Sequence, residues 1–201
     1  MRLLLLRHGQ TDWNLIPRFQ GHTDTELNET GRGQAAALAK ALEGQAIAAV
    51  YASPLKRAFV TAGMVAAAHG LTVQPEPGLK ELHHGDLEGH GPDELRRRWG
   101  DVMIRWYGGD IAMRLPGGES MRDLQARAWG AIQRIVAAHP EATVAAVSHN
   151  LAILAIVSAA LGLPLEHFRR LRCDTASISV IEFTSDRTVL TRFNDISSHT
   201  P

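Results

Sequence analysis

The chain has 201 residues, 45% hydrophobic and 21% charged, the balance of a folded globular domain rather than a disordered or fibrous one. Its 21 Lys and Arg are offset by 21 Asp and Glu, so it lacks the basic excess with which a general nucleic-acid binder displaces counterions. Any anion must be held locally, by a few convergent cations. Cys173 is the only cysteine, which excludes an intrachain disulfide and reads as a small buried side chain in a reducing compartment.

Met1 to Leu6 opens on an apolar run, but it stops at Arg7-His8, too short for a signal core or a membrane span. A cytoplasmic enzyme with no membrane contact is expected. Leu3 to Leu6 reads as a strand buried on both faces. After it the chain is polar to Asn28, with Pro17 and Gly21 as breakers. Thr30 to Leu42 reads as an Ala-rich helix closed by Gly44, and Ile47 to Tyr51 as a second buried strand. Ser53-Pro54 offers a cap and a first-turn proline for a helix to about Ala68. This alternation indicates an α/β fold, a three-layer sandwich with a mostly parallel sheet and helices on both faces.

The middle is punctuated by Pro75, Pro77, Gly78, Gly85, Gly89, Gly91 and Pro92, and closes with Pro116-Gly117-Gly118. Asp93 to Tyr107 reads as one or two helices inside an insertion of about 90–118, a helical lid. Ser120 caps a helix to about Ala138, with Leu124, Ala128, Ala131, Ile132 and Ile135 at helical spacing. Thr143 to Val147 is a further buried strand and Leu151 to Leu161 its following helix. Two alternating strands, Ser177–Phe183 and Val189–Phe193, complete the sheet. No repeat or linker divides residues 1–201, so one domain is expected.

Ligands of open α/β sheets bind beyond the carboxyl ends of the strands. One such end delivers Arg7-His8, another leads to Arg57, and a third delivers Ser148-His149. The set suits a phosphate monoester. Arginines match its oxygens bidentately and stay charged, while a neutral imidazole is a competent nucleophile near neutral pH. No ligand cluster at metal spacing accompanies the set, so neither metal nor cofactor is expected and the cations must stabilise the transferring phosphoryl group.

The ordered motifs extend this reading. Leu6-Arg7-His8-Gly9-Gln10-Thr11 with Trp13-Asn14 resembles the opening signature of the histidine phosphatase superfamily, in its cofactor-dependent phosphoglycerate mutase-like branch. Arg18, Gln20-Gly21, Asp24, Leu27, Gly31 and Gln34-Ala35 continue the resemblance. Ser53-Pro54-Leu55, Arg57-Ala58, Thr61-Ala62, Glu81, Gly85, Glu88-Gly89, Pro116 to Ser120 and Ser148-His149 carry it across nearly the whole chain. It implies that His8 is the nucleophile and that Arg7, Arg57 and His149 clamp the phosphoryl oxygens. Glu81 would protonate the leaving oxygen and then activate water. Asn14 and Gln20 would help hold the phosphate, with Gly21 beside them and the backbone amide of Asn150 added. Asn150 stands where many relatives have Gly and is expected to tolerate a turn's unusual backbone angles. Leu154 replaces a frequent Arg, and Leu87 a frequent Trp.

The function implied is a phosphatase for a small phosphomonoester. The alternatives are a cofactor-dependent phosphoglycerate mutase using the same groups, and a non-catalytic binding module, which would be expected to lose His8, Arg57 or His149. The end of the chain at Pro201, soon after the last strand, favours hydrolysis over the mutase, whose segments there are generally longer. Several features also have plainer readings. Glu76, Asp86 and Glu88 compete with Glu81; His83, His84 and His90 are expected to be solvated or hydrogen-bonded; Pro116 to Ser120 is expected to be a turn and a cap. Trp99, Trp106 and Tyr107 suit a pocket wall and a packed insertion equally, and the mixed Trp99 to Met113 segment is expected to govern substrate choice. Oligomeric state is open, and a homodimer fits.

Overall fold

Successive side chains of a strand point to opposite faces, so a run such as Leu3 to Leu6 needs cover on both sides. The computed structural model, which describes residues 1–16 and 18–198, supplies it. Pro17 and residues 199–201 lie outside the described residues. Leu3 and Leu5 of strand β1 (Arg2–Arg7) join one hydrophobic cluster, and Leu4 and Leu6 join another on the opposite face. Helices α1 (Glu29–Leu42) and α2 (Lys56–Ala68) fill the second cluster through Leu38, Ala39, Ala62 and Val65. Helices α3 (Pro92–Tyr107), α4 (Met121–Ala138) and α5 (Asn150–Leu161) fill the first. The expected three layers are therefore present.

The remaining strands are β2 (Ile47–Ala52), β3 (Val73–Pro75), β4 (Thr143–Ser148), β5 (Ile178–Phe183) and β6 (Thr188–Asp195). Their order is β3-β2-β4-β1-β5-β6. The first four are parallel, while β5 and β6 add antiparallel at one edge, so the sheet is mixed. Three features escape the sequence reading. Strand β3 is only three residues long and carries Pro75, too little for a periodic signal. Helix α2 begins at Lys56, not at Ser53-Pro54: its N-cap is Leu55, and the Lys56 N–H is taken by Asp24 Oδ1 at 2.7 Å. Helix α1 ends without a left-handed glycine, because Gly44 is not at positive φ.

Helix α3 explains why its region read as one or two helices. Trp99 has non-helical angles (φ −134°, ψ 36°) and kinks it. Ser120 caps α4 as expected, its hydroxyl accepting from Asp123 N while Asp123 accepts from Ser120 N. Gly9 and Gly31 let the start of α1 close on the loop after β1, since a Cβ on Gly9 would come within 2.3 Å of the Gly31 carbonyl.

Candidate active site

Register sets the geometry. β1 and β4 lie side by side with Arg7 opposite Ser148, so His8 and His149 leave the sheet together. Their ring centroids are 5.1 Å apart and tilted by 58°. His8 Nδ1 lies 2.7 Å from the Gly9 carbonyl. A carbonyl only accepts, so Nδ1 carries the hydrogen and Nε2 keeps the lone pair. Burial, then Arg57 and Arg7, push the His8 pKa well below 6.5, with the Gly9 bond opposing only in part. The ring is thus neutral with a free Nε2 near neutral pH, the state a nucleophile needs.

Arg57 is 1% exposed, with Nη2 donating to Gly21 O at 2.8 Å and Nη1 to Thr23 O at 2.9 Å. Burial lowers its pKa to about 10, and it stays charged at neutral pH. Gly21, at φ 52°, makes the turn that presents these carbonyls. Arg7 Nη1 donates to Cys173 O. Cys173 is itself buried, which raises its thiol pKa, in keeping with its packing role. Buried side-chain nitrogens without a hydrogen-bond partner are uncommon. Among the described residues they are Arg7 Nε, Arg57 Nε, His149 Nδ1 and both ring nitrogens of His84. Three of these five belong to the expected anion clamp, around one point of the fold.

Glu81 is 8% exposed and lies in no regular element. Its Oε1 accepts from Leu82 N (2.9 Å) and Ala152 N (3.1 Å), its Oε2 from Leu151 N (3.2 Å). The last two donors are free N–H groups of the first turn of α5. The competing carboxylates are engaged elsewhere. Glu88 binds His22 N, His84 N and Thr23 N, organising the turn at Gly21, and Glu76 caps Gly78 N and pairs with Arg134. Neither these nor Asp86 line the cavity that Glu81 lines.

That cavity, of about 550 Å³, gathers Arg7, His8, Asn14, Gln20, Gly21, Arg57, Glu81 and Asn150 on its wall. Asn14 Oδ1 accepts from Thr11 N, and Gln20 Oε1 accepts from Thr25 Oγ1. Both amides therefore turn their NH₂ groups away from those contacts. Asn150 is not among the residues at positive φ, so the helix start needs no glycine there, contrary to the expected strained turn. His149 is fully buried and does not line the cavity. Its Nε2 meets Ser53 Oγ at 2.8 Å, which is where the expected helix cap went.

The rest of the wall differs from expectation. Trp106 and Tyr107 line it, but Trp99 does not, and Met103 and Met113 are buried in the core. Phe19, Leu151, Leu154, Phe168, Arg169 and Leu171 line it as well. Arg169 sits over the Trp106 and Phe168 rings, at 4.7 and 4.4 Å. His90 pairs with Glu94, and the His83 side chain is half exposed, as expected of such histidines. His84 is the correction: it is 3% exposed, stacks on Phe19 at 4.4 Å and lines the cavity. Burial pushes its pKa to about 3, against a weak pull from the Leu82 backbone. Periodicity could not separate it from its neighbour His83.

The buried imidazoles make stability depend on pH. His8, His84 and His149 all have pKa values lowered by burial below 6.5. As pH falls through that value the unfolded chain binds protons that the folded chain does not. Stability is therefore complete above about pH 6.5 and declines below it. Urea midpoints should fall steadily between about pH 7 and pH 5. A midpoint that does not move would show that the rings take up protons while folded.

Comparison with known proteins agrees with the geometry. Residues 3–196 match the family model of the histidine phosphatase superfamily (branch 1), and the chain belongs to that family. It is 34% identical over 194 residues to phosphoserine phosphatase 1 of Hydrogenobacter thermophilus, covering 96% of this chain and 92% of that protein. It is 35% identical over 186 residues to a probable phosphoglycerate mutase, GpmB, of Yersinia pestis, covering 91% and 85%. Among solved structures, YhfR of Bacillus stearothermophilus superposes with a TM-score of 0.92 at 32% identity, covering 98% of each chain.

Proposed function

We propose that the chain is a phosphomonoesterase that hydrolyses a small phosphorylated metabolite through a phosphohistidine at His8. The observation that carries this is the neutral His8 ring, its Nε2 left free by the Nδ1 contact to Gly9, beside the unpartnered Nε atoms of Arg7 and Arg57. His8 Nε2 attacks phosphorus as the ester P–O bond breaks, and Glu81 delivers a proton to the departing oxygen. Three backbone N–H groups occupy most of the carboxyl's acceptor positions, two on Oε1 and one on Oε2, so Oε2 has room for that proton. Water then attacks the phosphohistidine, gives its proton to Glu81 and releases inorganic phosphate. Arg7, Arg57 and His149 stabilise the phosphoryl charge in both steps, with the amides of Asn14 and Gln20 and the Asn150 N–H. No metal or cofactor enters the reaction, and the setting is cytoplasmic, without nucleic acid or membrane as partner.

The chain works as one domain, with residues of about 90–118 forming part of the cavity wall as a lid. Tyr107 is 68% exposed on that wall, while Trp106 is 5% exposed and packed in the core. Tyr107→Ala should shift relative kcat/KM across a substrate panel several-fold with an unchanged melting temperature. Trp106→Ala should cost about 3–5 kcal/mol of stability. Uniform losses for all substrates from Tyr107→Ala would deny the wall a part in specificity.

The relative named a phosphoserine phosphatase makes phosphoserine the first substrate to test, within a panel of phosphometabolites read by phosphate release. The relative named a probable mutase sets the opposing arm: isomerisation of phosphoglycerate by the same preparation. Phosphate release faster than isomerisation is the expected result. Isomerisation that outruns release would establish the mutase instead.

A further inference from the structure

Sheet ladders hold the strands that deliver Arg7, His8 and His149, yet no ladder holds Glu81, because residues 80–84 form no regular structure. Four successive carbonyls, from Gly78 to Glu81, are nonetheless taken by side chains. Arg127, on α4, donates through Nη1 to Gly78 O (2.9 Å) and Lys80 O (2.8 Å), and through Nη2 to Glu81 O (2.7 Å). Ser148 Oγ donates to Leu79 O at 2.7 Å, and His22 Nε2 lies 2.8 Å from Glu81 O.

Arg127 is itself held. Its Nε donates to Glu119 Oε1 at 2.7 Å and its Nη2 to Glu119 Oε2 at 2.8 Å. All five N–H donors of the guanidinium are thereby used, two on Glu119 and three on the backbone that carries Glu81. Glu119 Oε2 also accepts from His83 N at 3.0 Å, so the pair grips the segment on both sides of Glu81. The two side chains are 23% and 20% exposed, unlike the exposed pairs that contribute little. Neither lines the cavity, and every Arg127 donor is already spent on a protein acceptor, unlike His149 Nδ1, so neither is placed to touch substrate.

We propose that Arg127, locked by Glu119, is a positioning residue that sets the reach of the Glu81 carboxyl toward the leaving oxygen. The proposal rests on the reading of Glu81 as the acid and base. A displacement of about 1 Å in a reacting group costs up to about a hundredfold in rate, and only in the step that uses the group. The signature of Arg127 is therefore dependence on the leaving group. An alkyl phosphate needs the proton from Glu81, whereas nitrophenyl phosphate, with its stable anion, needs it far less.

The experiment measures single-turnover phosphorylation of His8 with both substrates in wild type, Arg127→Met, Arg127→Lys, Glu81→Gln and the Glu81→Gln/Arg127→Met double variant. Arg127→Met should slow the alkyl reaction about tenfold or more beyond any loss with nitrophenyl phosphate. Arg127→Lys should recover part of that loss, and the double variant should show no selective loss beyond that of Glu81→Gln. Equal losses with both substrates, or a selective loss that persists in full on the Glu81→Gln background, would reduce Arg127 to a structural role. Absence of selectivity in Glu81→Gln itself would overturn the acid reading and this proposal together. Should Arg127→Met fail to fold, Glu119→Gln keeps the arginine but removes its carboxylate. The same selective loss, smaller, is then expected, and none would overturn the proposal.

Discussion

Replacing His8 by alanine is expected to lower turnover by about ten-thousandfold or more, the scale on which nucleophile deletions fall. The neutral ring, with Nδ1 tied to Gly9 O, lines the cavity with its Nε2 lone pair free and with the charges of Arg57 and Arg7 acting on it. Without it, water must attack a phosphate dianion directly, helped only by the remaining cations. Arg7 and Arg57 keep their own carbonyl partners, so affinity for inorganic phosphate should survive. Steady-state phosphate release, with calorimetric binding of inorganic phosphate as the control for the site, checks this. Turnover within about tenfold of wild type, with phosphate binding intact, would remove His8 from the nucleophile's role.

Glu81→Gln is expected to slow phosphorylation by an alkyl phosphate about a hundredfold to ten-thousandfold, and by nitrophenyl phosphate far less. Cleavage of an alkyl ester leaves a strongly basic alkoxide unless a proton arrives during bond breaking, whereas nitrophenolate departs unaided. The glutamine keeps an acceptor for Leu82 N and Ala152 N, but its NH₂ meets the donor Leu151 N. That mismatch costs about 1–3 kcal/mol of stability, which a melting curve reports separately. Turnover alone would mislead, because the same carboxylate also activates water in the second step. The comparison belongs on the single-turnover rate. Equal losses for both leaving groups would mean that Glu81 is not the acid. Glu88 and Asp86 could not replace it, since neither lines the cavity.

Much of the fold was legible because burial leaves local marks. The double-faced run Leu3 to Leu6, the Ser120 cap and the spacing from Leu124 to Ile135 each report a neighbourhood that the chain itself writes. The site was legible for a related reason: Arg7-His8 and Ser148-His149 end strands that pair in register, so two local motifs become one place. What escaped depends on distant partners. Ser53 looks like a helix cap, and only the approach of β2 to β4 shows that its hydroxyl meets His149. Arg127 looks like one cation on an amphipathic helix, and nothing local reveals three carbonyls 46 to 49 residues away. Met103 and Met113 share the mixed composition of a pocket wall, yet Met103, on α3, and Met113, beyond its end, are both buried in the core. The wall was instead completed from Phe168 to Leu171, a stretch after α5 that carries no motif.

The central claim is a covalent bond between phosphorus and His8, and rapid quenching with phosphate-labelled substrate tests it most directly. Wild-type enzyme, stopped within its first turnover, should carry label that is stable in base and lost in acid, and a digest should place it on the peptide containing His8. The label should appear before free phosphate, decay as phosphate forms, and be absent from His8→Ala. Full turnover with no labelled protein at any time, or label on a residue other than His8, would contradict the mechanism.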